Sequence, residues 1–120
     1  MKQASVLIEQ VGGRKDDSSK IQLELIPTSL VLAIGTILTF GAKKYAPRNW
    51  EKGFAWSRAF GALMRHMWAW WSGENLDPET NKSHLWHAGC ALAFLIEFES
   101  THKELDDRPM SQGMKGGGAE

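Results

Sequence analysis

The 120-residue chain balances 14 Lys and Arg against 14 Asp and Glu, with a pI near 6.9. That neutrality argues against bulk electrostatic binding to nucleic acid or to an acidic membrane. The single cysteine, Cys90, excludes an internal disulfide and suits a reducing cytoplasm.

The length predicts one domain. A domain this small buries only about 60–70% of its unfolded surface and is marginal as a monomer. Residues 1–19 carry no sustained period and are expected to form an extended or mobile arm, with a short strand at Ser5–Glu9. The apolar patch in MKQASVLIEQVGG is too short for a secretory signal. Pro27, followed by Thr28 and Ser29, marks a helix start. A first helix is predicted over Thr28–Lys44, because Leu30, Ile34, Ile37 and Leu38 share one helical face. Its β-branched content leaves a strand open. Gly35 and Thr39 form a small-residue stripe where another helix could approach. Leu30–Phe40 is interrupted by polar and small residues and falls short of the roughly 18–20 residues of a membrane span.

Pro47 and Gly53 mark the next stretch, TFGAKKYAPRNWEKG, as ending in a loop. Lys43, Lys44 and Arg48 surround Tyr45, Asn49 and Trp50 there. One reading is a solvated charged loop with an anchoring Trp. The other is a clamp in which cations meet phosphate and a ring and an amide meet a base. Ser57 is a candidate cap for a second helix, Arg58–Trp71. Phe60, Leu63, Met64, Met67, Trp70 and Trp71 share a broad face that is expected to be core. The opposite side, with Arg58, Ala62, Arg65, His66, Ala69 and Gly73, is expected to wall a site. Ser72 and Gly73 end this helix.

The loop Glu74–Lys82 is rich in turn formers and carries Glu74, Asp77 and Glu79. Ser83 is the expected cap of a third helix, His84–Glu99. His84 and His87 share one side of its first turn, in line with Ala91, Phe94 and Phe98, so the pair faces inward. Three carboxylates and three imidazoles therefore fall between His66 and His87, and the only other histidine is His102. Carboxylate oxygen and imidazole nitrogen are ligands for a divalent metal. Cys90 lies in an apolar run and reads as a buried thiol. Ala88–Phe98 is apolar on nearly every side, which a lone small domain does not easily bury. A homo-oligomer follows, most simply a dimer on the apolar faces of the first and third helices. After Ser100 the chain turns polar, and residues 101–120 are expected as a flexible tail. The fold class expected is all-α, a bundle of three principal helices over residues 20–100 completed by oligomerisation.

The ordered blocks FGAKKY-x-x-RNW-x-x-G, RH, GE-x-x-DPE and H-x-x-HA, after Lys20 and Leu25-Ile26-Pro27, span Asp16 to Phe98. As a set they resemble the N-terminal domain of phage-associated dATP/dGTP diphosphohydrolases, grouped with the all-α MazG-like nucleotide pyrophosphohydrolases. The resemblance implies metal-dependent hydrolysis of dGTP or dATP to the monophosphate and pyrophosphate. In some phages, the resemblance implies, this reaction supplies dGMP for the 2-aminoadenine nucleotide. Two departures stand out. MazG-like enzymes carry EExxE and ExxD helices, whereas the corresponding helices here read RHMWAW and HLWH. The family lysine usually sits in a Gly-Lys-x-Arg setting, but Lys20 lies in Ser19-Lys20-Ile21-Gln22.

For such chemistry Glu74 and Asp77 are the leading ligands of Mg²⁺ or Mn²⁺, with His84 and His87 as imidazole ligands or their supports. Glu79 is a ligand or general base, and His66 a ligand or a donor to the leaving pyrophosphate. Lys20, Lys43, Lys44, Arg48 and Arg65 are candidate phosphate contacts, and Tyr45, Asn49 and Trp50 candidates for a purine pocket. The expected partner is a purine deoxynucleoside triphosphate in the cytoplasm, with neither nucleic acid nor membrane involved. Two rivals are a non-catalytic helical interaction module and a zinc hydrolase of another class.

Overall fold

The computed structural model describes residues 19–110; the expected strand at Ser5–Glu9 and the stretch 111–120 lie outside them. Three α-helices carry the fold: α1 (Thr28–Lys44), α2 (Trp56–Trp71) and α3 (His84–Thr101). Single 3₁₀ turns lie at Leu23–Leu25, Asn49–Lys52 and Lys103–Leu105. Among the described residues there is no strand beyond one isolated bridge, Leu76 to Ser83, across the α2–α3 loop. The fold is all-α. No described helix is long and apolar enough to cross a membrane.

The helix ends follow local chemistry. Pro27 precedes the first residue of α1, its fixed φ preparing the turn without a lost hydrogen bond. Ser83 caps α3, its Oγ accepting the Leu85 N–H at 3.1 Å. Gly73 follows α2 at φ +102°, which a glycine reaches without a Cβ clash. Ser57 does not cap α2. It is the helix's second residue, and its N–H and hydroxyl both donate to the Asp107 carboxylate, far along the chain.

α3 is the central helix. α2 packs along it most extensively and α1 packs on another side, while α1 and α2 scarcely touch. α1 meets α3 at Gly89, where an added Cβ would stand 3.7 Å from Ile34. The expected stripe at Gly35 plays no such part, since nothing lies within 4 Å of a Cβ there. The buried set is Ala33, Ile37, Trp56, Ala59, Ala88, Cys90, Ala91, Phe98 and His84. Burial pushes the Cys90 thiol up to about 11, so it is inert near neutral pH.

The packed side of α2 differs from the sequence expectation. Trp56 and Ala59 are buried and His66 turns towards α3; of the expected core face Leu63 and Trp70 are half-buried, whereas Phe60, Met64, Met67 and Trp71 are exposed. Small side chains let the two backbones approach, so the alanine line packs and the bulky line is left outside. The segment after α3 also differs from the expected tail. Trp56 Nε1–H donates to the His102 carbonyl at 3.0 Å, and Asp107 holds the start of α2. Residues 102–108 thus strap the two helices together.

Candidate metal centre

The α2–α3 hairpin brings the end of one helix, the start of the next and their loop to one point. His66 comes from the last turns of α2, His84 and His87 from the first turn of α3, and Asp77 from the loop between them. One ligand atom from each of His66, Asp77 and His84 lies within 4.8 Å of the others. The His66 and His84 Nδ1 atoms are 2.9 Å apart, and Asp77 Oδ2 stands 3.9 Å from His66 Nδ1.

This spacing can be tested against a metal. Two donors at roughly 2.1 Å from one ion and at right angles to each other stand about 3 Å apart. The imidazole pair meets that distance, and the carboxylate adds the negative charge a cation needs.

The surrounding bonds set the atoms that face inward. His84 Nε2 lies 2.6 Å from Glu74 Oε1, so that nitrogen carries a proton and donates to the carboxylate. In the neutral ring the lone pair then sits on Nδ1, towards His66 and Asp77. Asp77 Oδ1 accepts the N–H groups of Glu79 at 2.8 Å and Thr80 at 3.2 Å, which leaves Oδ2 for the cluster. Thr80 Oγ1 lies 2.7 Å from His87 Nε2, and the His87 ring stacks on His66 with centroids 4.5 Å apart.

Burial, then the charge of His87, pushes the His66 imidazolium below the ordinary histidine range. Burial does the same to His87, against the pull of Asp77. Burial pulls the Asp77 carboxyl upward, but the Thr80 and Glu79 N–H groups and the imidazoles outweigh it and hold the group below its usual range. At neutral pH the cluster therefore presents unprotonated rings at His66 and His87 beside an ionised Asp77.

The structure divides the other sequence candidates. Lys44 at the end of α1 donates to Glu79 Oε2 at 2.9 Å, and both side chains are exposed. Lys44 also lies 5.4 Å from the centre of the exposed Tyr45 ring. Arg65 precedes His66 on α2 and is exposed, as are Lys20 and Lys43. Trp50 is not an open platform beside the histidines. It stacks on Phe94 at 4.7 Å, and Phe94 is ten residues along α3 from His84, about 15 Å. There Arg48, Trp50, Glu51, Glu97 and Thr101 line a shallow cavity of about 380 Å³. Arg48 pairs with Glu51 at 2.9 Å, and Asn49 opens the 3₁₀ turn that carries Trp50.

Sequence reasoning passed over Thr80. The signal was present, because Asp77-Pro78-Glu79-Thr80 is a turn whose aspartate binds backbone two and three residues on.

The sequence profile of the dATP/dGTP diphosphohydrolase N-terminal family matches residues 10–108. A dATP/dGTP diphosphohydrolase of Salmonella phage PMBT28 is 30% identical over 104 residues, covering 87% of this chain and 36% of that protein. The chain thus spans about a third of the length of this curated relative. No solved structure matches.

Proposed function

Because the chain belongs to the dATP/dGTP diphosphohydrolase N-terminal family, we propose that it hydrolyses a purine deoxynucleoside triphosphate. The substrate is dGTP or dATP, the products are the monophosphate and pyrophosphate, and the reaction depends on a divalent metal. The observation that carries this reading is the convergence of His66, Asp77 and His84 within 4.8 Å. Of Mg²⁺ and Mn²⁺, the imidazole pair favours Mn²⁺, since Mg²⁺ prefers oxygen ligands. A bound ion would make water acidic enough to attack phosphorus near neutral pH and would offset phosphate charge.

The chain's own residues do the rest. His66, His84 and Asp77 would hold the ion, and Glu74 fixes the His84 tautomer from behind. Thr80 orients His87 against His66. Lys44 exchanges its Glu79 partner for a phosphate oxygen, and Arg65 adds positive charge beside the cluster. In a phage this activity would feed purine monophosphate into nucleotide modification. The same two-histidine, one-carboxylate donor set also suits zinc, which keeps a zinc hydrolase as the second reading.

Incubating the purified chain with each deoxynucleoside triphosphate, with Mn²⁺, Mg²⁺ or Zn²⁺ added singly after chelation, tests both readings. Pyrophosphate release from dGTP or dATP with Mn²⁺ is expected. Equal turnover of dCTP and dTTP would refute the purine preference, and activity with zinc alone would move the assignment to the second reading.

A further inference from the structure

α3 is apolar on nearly every side, and the described residues cover three of its sides. α1 and α2 take two. The loop before α2 takes a third, where Trp50 stacks on Phe94 and Phe54 meets the Phe94 and Phe98 edges. Arg58 of α2 lies over Phe54, which places that side of α2 on the same covered face.

Of the bulky residues that α2 leaves outside, Phe60, Met64, Met67 and Trp71 form one stripe, at i, i+4, i+7 and i+11, and Trp68 borders it. At about 100° per residue that stripe is roughly 150° round the helix from Arg58. Leu85, Leu92 and Ile96 form a second stripe on α3, roughly 180° from Phe94 by the same count. Both stripes therefore lie on the face opposite the covering loop. They are open: Phe60 is 54% exposed, Trp71 73%, Leu92 48% and Ile96 61%.

We infer that this α2–α3 face is the interface with a second copy of the chain. The seven side chains expose about 700 Å², taking roughly 200 Å² for each large side chain, against the roughly 600–1,000 Å² per partner of a stable interface. By the same count Glu99, near the end of α3, is the one charged residue bordering the α3 stripe, so apolar contact rather than a charge pattern selects the partner. A patch of one chemistry pairs with itself about a twofold axis. The chain's formal charge is zero, so two copies meet without net repulsion. The pairing also supplies the fourth wall of α3. It stands independently of the proposed reaction.

Sedimentation and light scattering of the full chain at micromolar concentration test it, with helical circular dichroism alongside. The wild type is expected at twice 13.4 kDa. Leu92→Glu puts a charge in the middle of the face and is expected to weaken association by about thirtyfold or more. Trp71→Lys does the same at the edge, where Trp71 is open in a single copy and its ring contact is with the neighbouring Trp70. Monomeric variants with wild-type helical signal support the inference. A wild type that is monomeric throughout, or a dimer that survives Trp71→Lys and Leu92→Glu, overturns it.

Discussion

Asp77 divides its two carboxylate oxygens between two tasks. Oδ1 holds the loop through the Glu79 and Thr80 N–H groups, and Oδ2 faces the imidazoles. Asp77→Asn keeps an oxygen for the loop and removes the charge from the cluster. Activity is expected to fall by about a hundredfold or more, with the metal-free stability changed by about 1 kcal/mol or less. Glu74→Gln still accepts from His84 but polarises it less, so metal affinity should drop by about 10–100-fold. The metal-linked rise in melting temperature measures both losses. A full metal-linked rise in Asp77→Asn would remove Asp77 from the ligand set. The residue types of this cluster were legible in the sequence, because histidines and carboxylates at helix ends have few structural reasons to gather. Which atom of each faces inward was not. Helical period gives a side chain's face, whereas Glu74 on the far nitrogen of His84 depends on how the loop closes.

At the scale of elements, the strap 102–108 depends on a histidine and a glycine. His102 Nδ1 lies 3.0 Å from Glu104 Oε2 and Nε2 lies 2.8 Å from the Glu51 carbonyl. Both partners accept, so both bonds form together only in the imidazolium. The Glu104 side chain first, then the Glu51 carbonyl, raises its pKa above the ordinary 6.5. A raised folded pKa adds stability that is complete below the unfolded value and is lost as pH rises through the folded value. The melting temperature of the wild type is therefore expected to exceed that of His102→Gln below pH 6.5, and the gap should close as pH rises. A gap that widens with pH would contradict the doubly bonded ring.

Gly53, at φ +88°, faces the same strap, and a Cβ there would stand 2.8 Å from Leu105 and 2.9 Å from His102. Gly53→Ala should cost about 2–3 kcal/mol from backbone strain and overpacking. Gly73→Ala, at φ +102° with open space around it, should cost about 1 kcal/mol from strain alone. Denaturant unfolding of the two variants checks the difference. The three helices themselves were readable because their apolar spacing, Pro27 and Ser83 agree. The strap was not, because its polar residues form a structure only through contacts made some fifty positions away.

For the molecule as a whole, a three-helix layer built on one central helix is thin. The sequence marked the apolar line on α2 as core, but the structure leaves Phe60, Met64, Met67 and Trp71 exposed, since helical period gives a face and not what packs on it. The alanine line won the contact with α3 because close backbone approach also lets His66 reach His84 and places the cluster at the hairpin's end. The join at the start of α2 has a consequence in time. Ala55 offers that helix no capping side chain, and Asp107 supplies the cap. On the ribosome α2 emerges about fifty residues before the group that satisfies its first turn. Its opening turn should thus fray in the nascent chain and lock only when Asp107 has cleared the exit tunnel. The hairpin and its histidines would be assembled before the helix that begins it is finished.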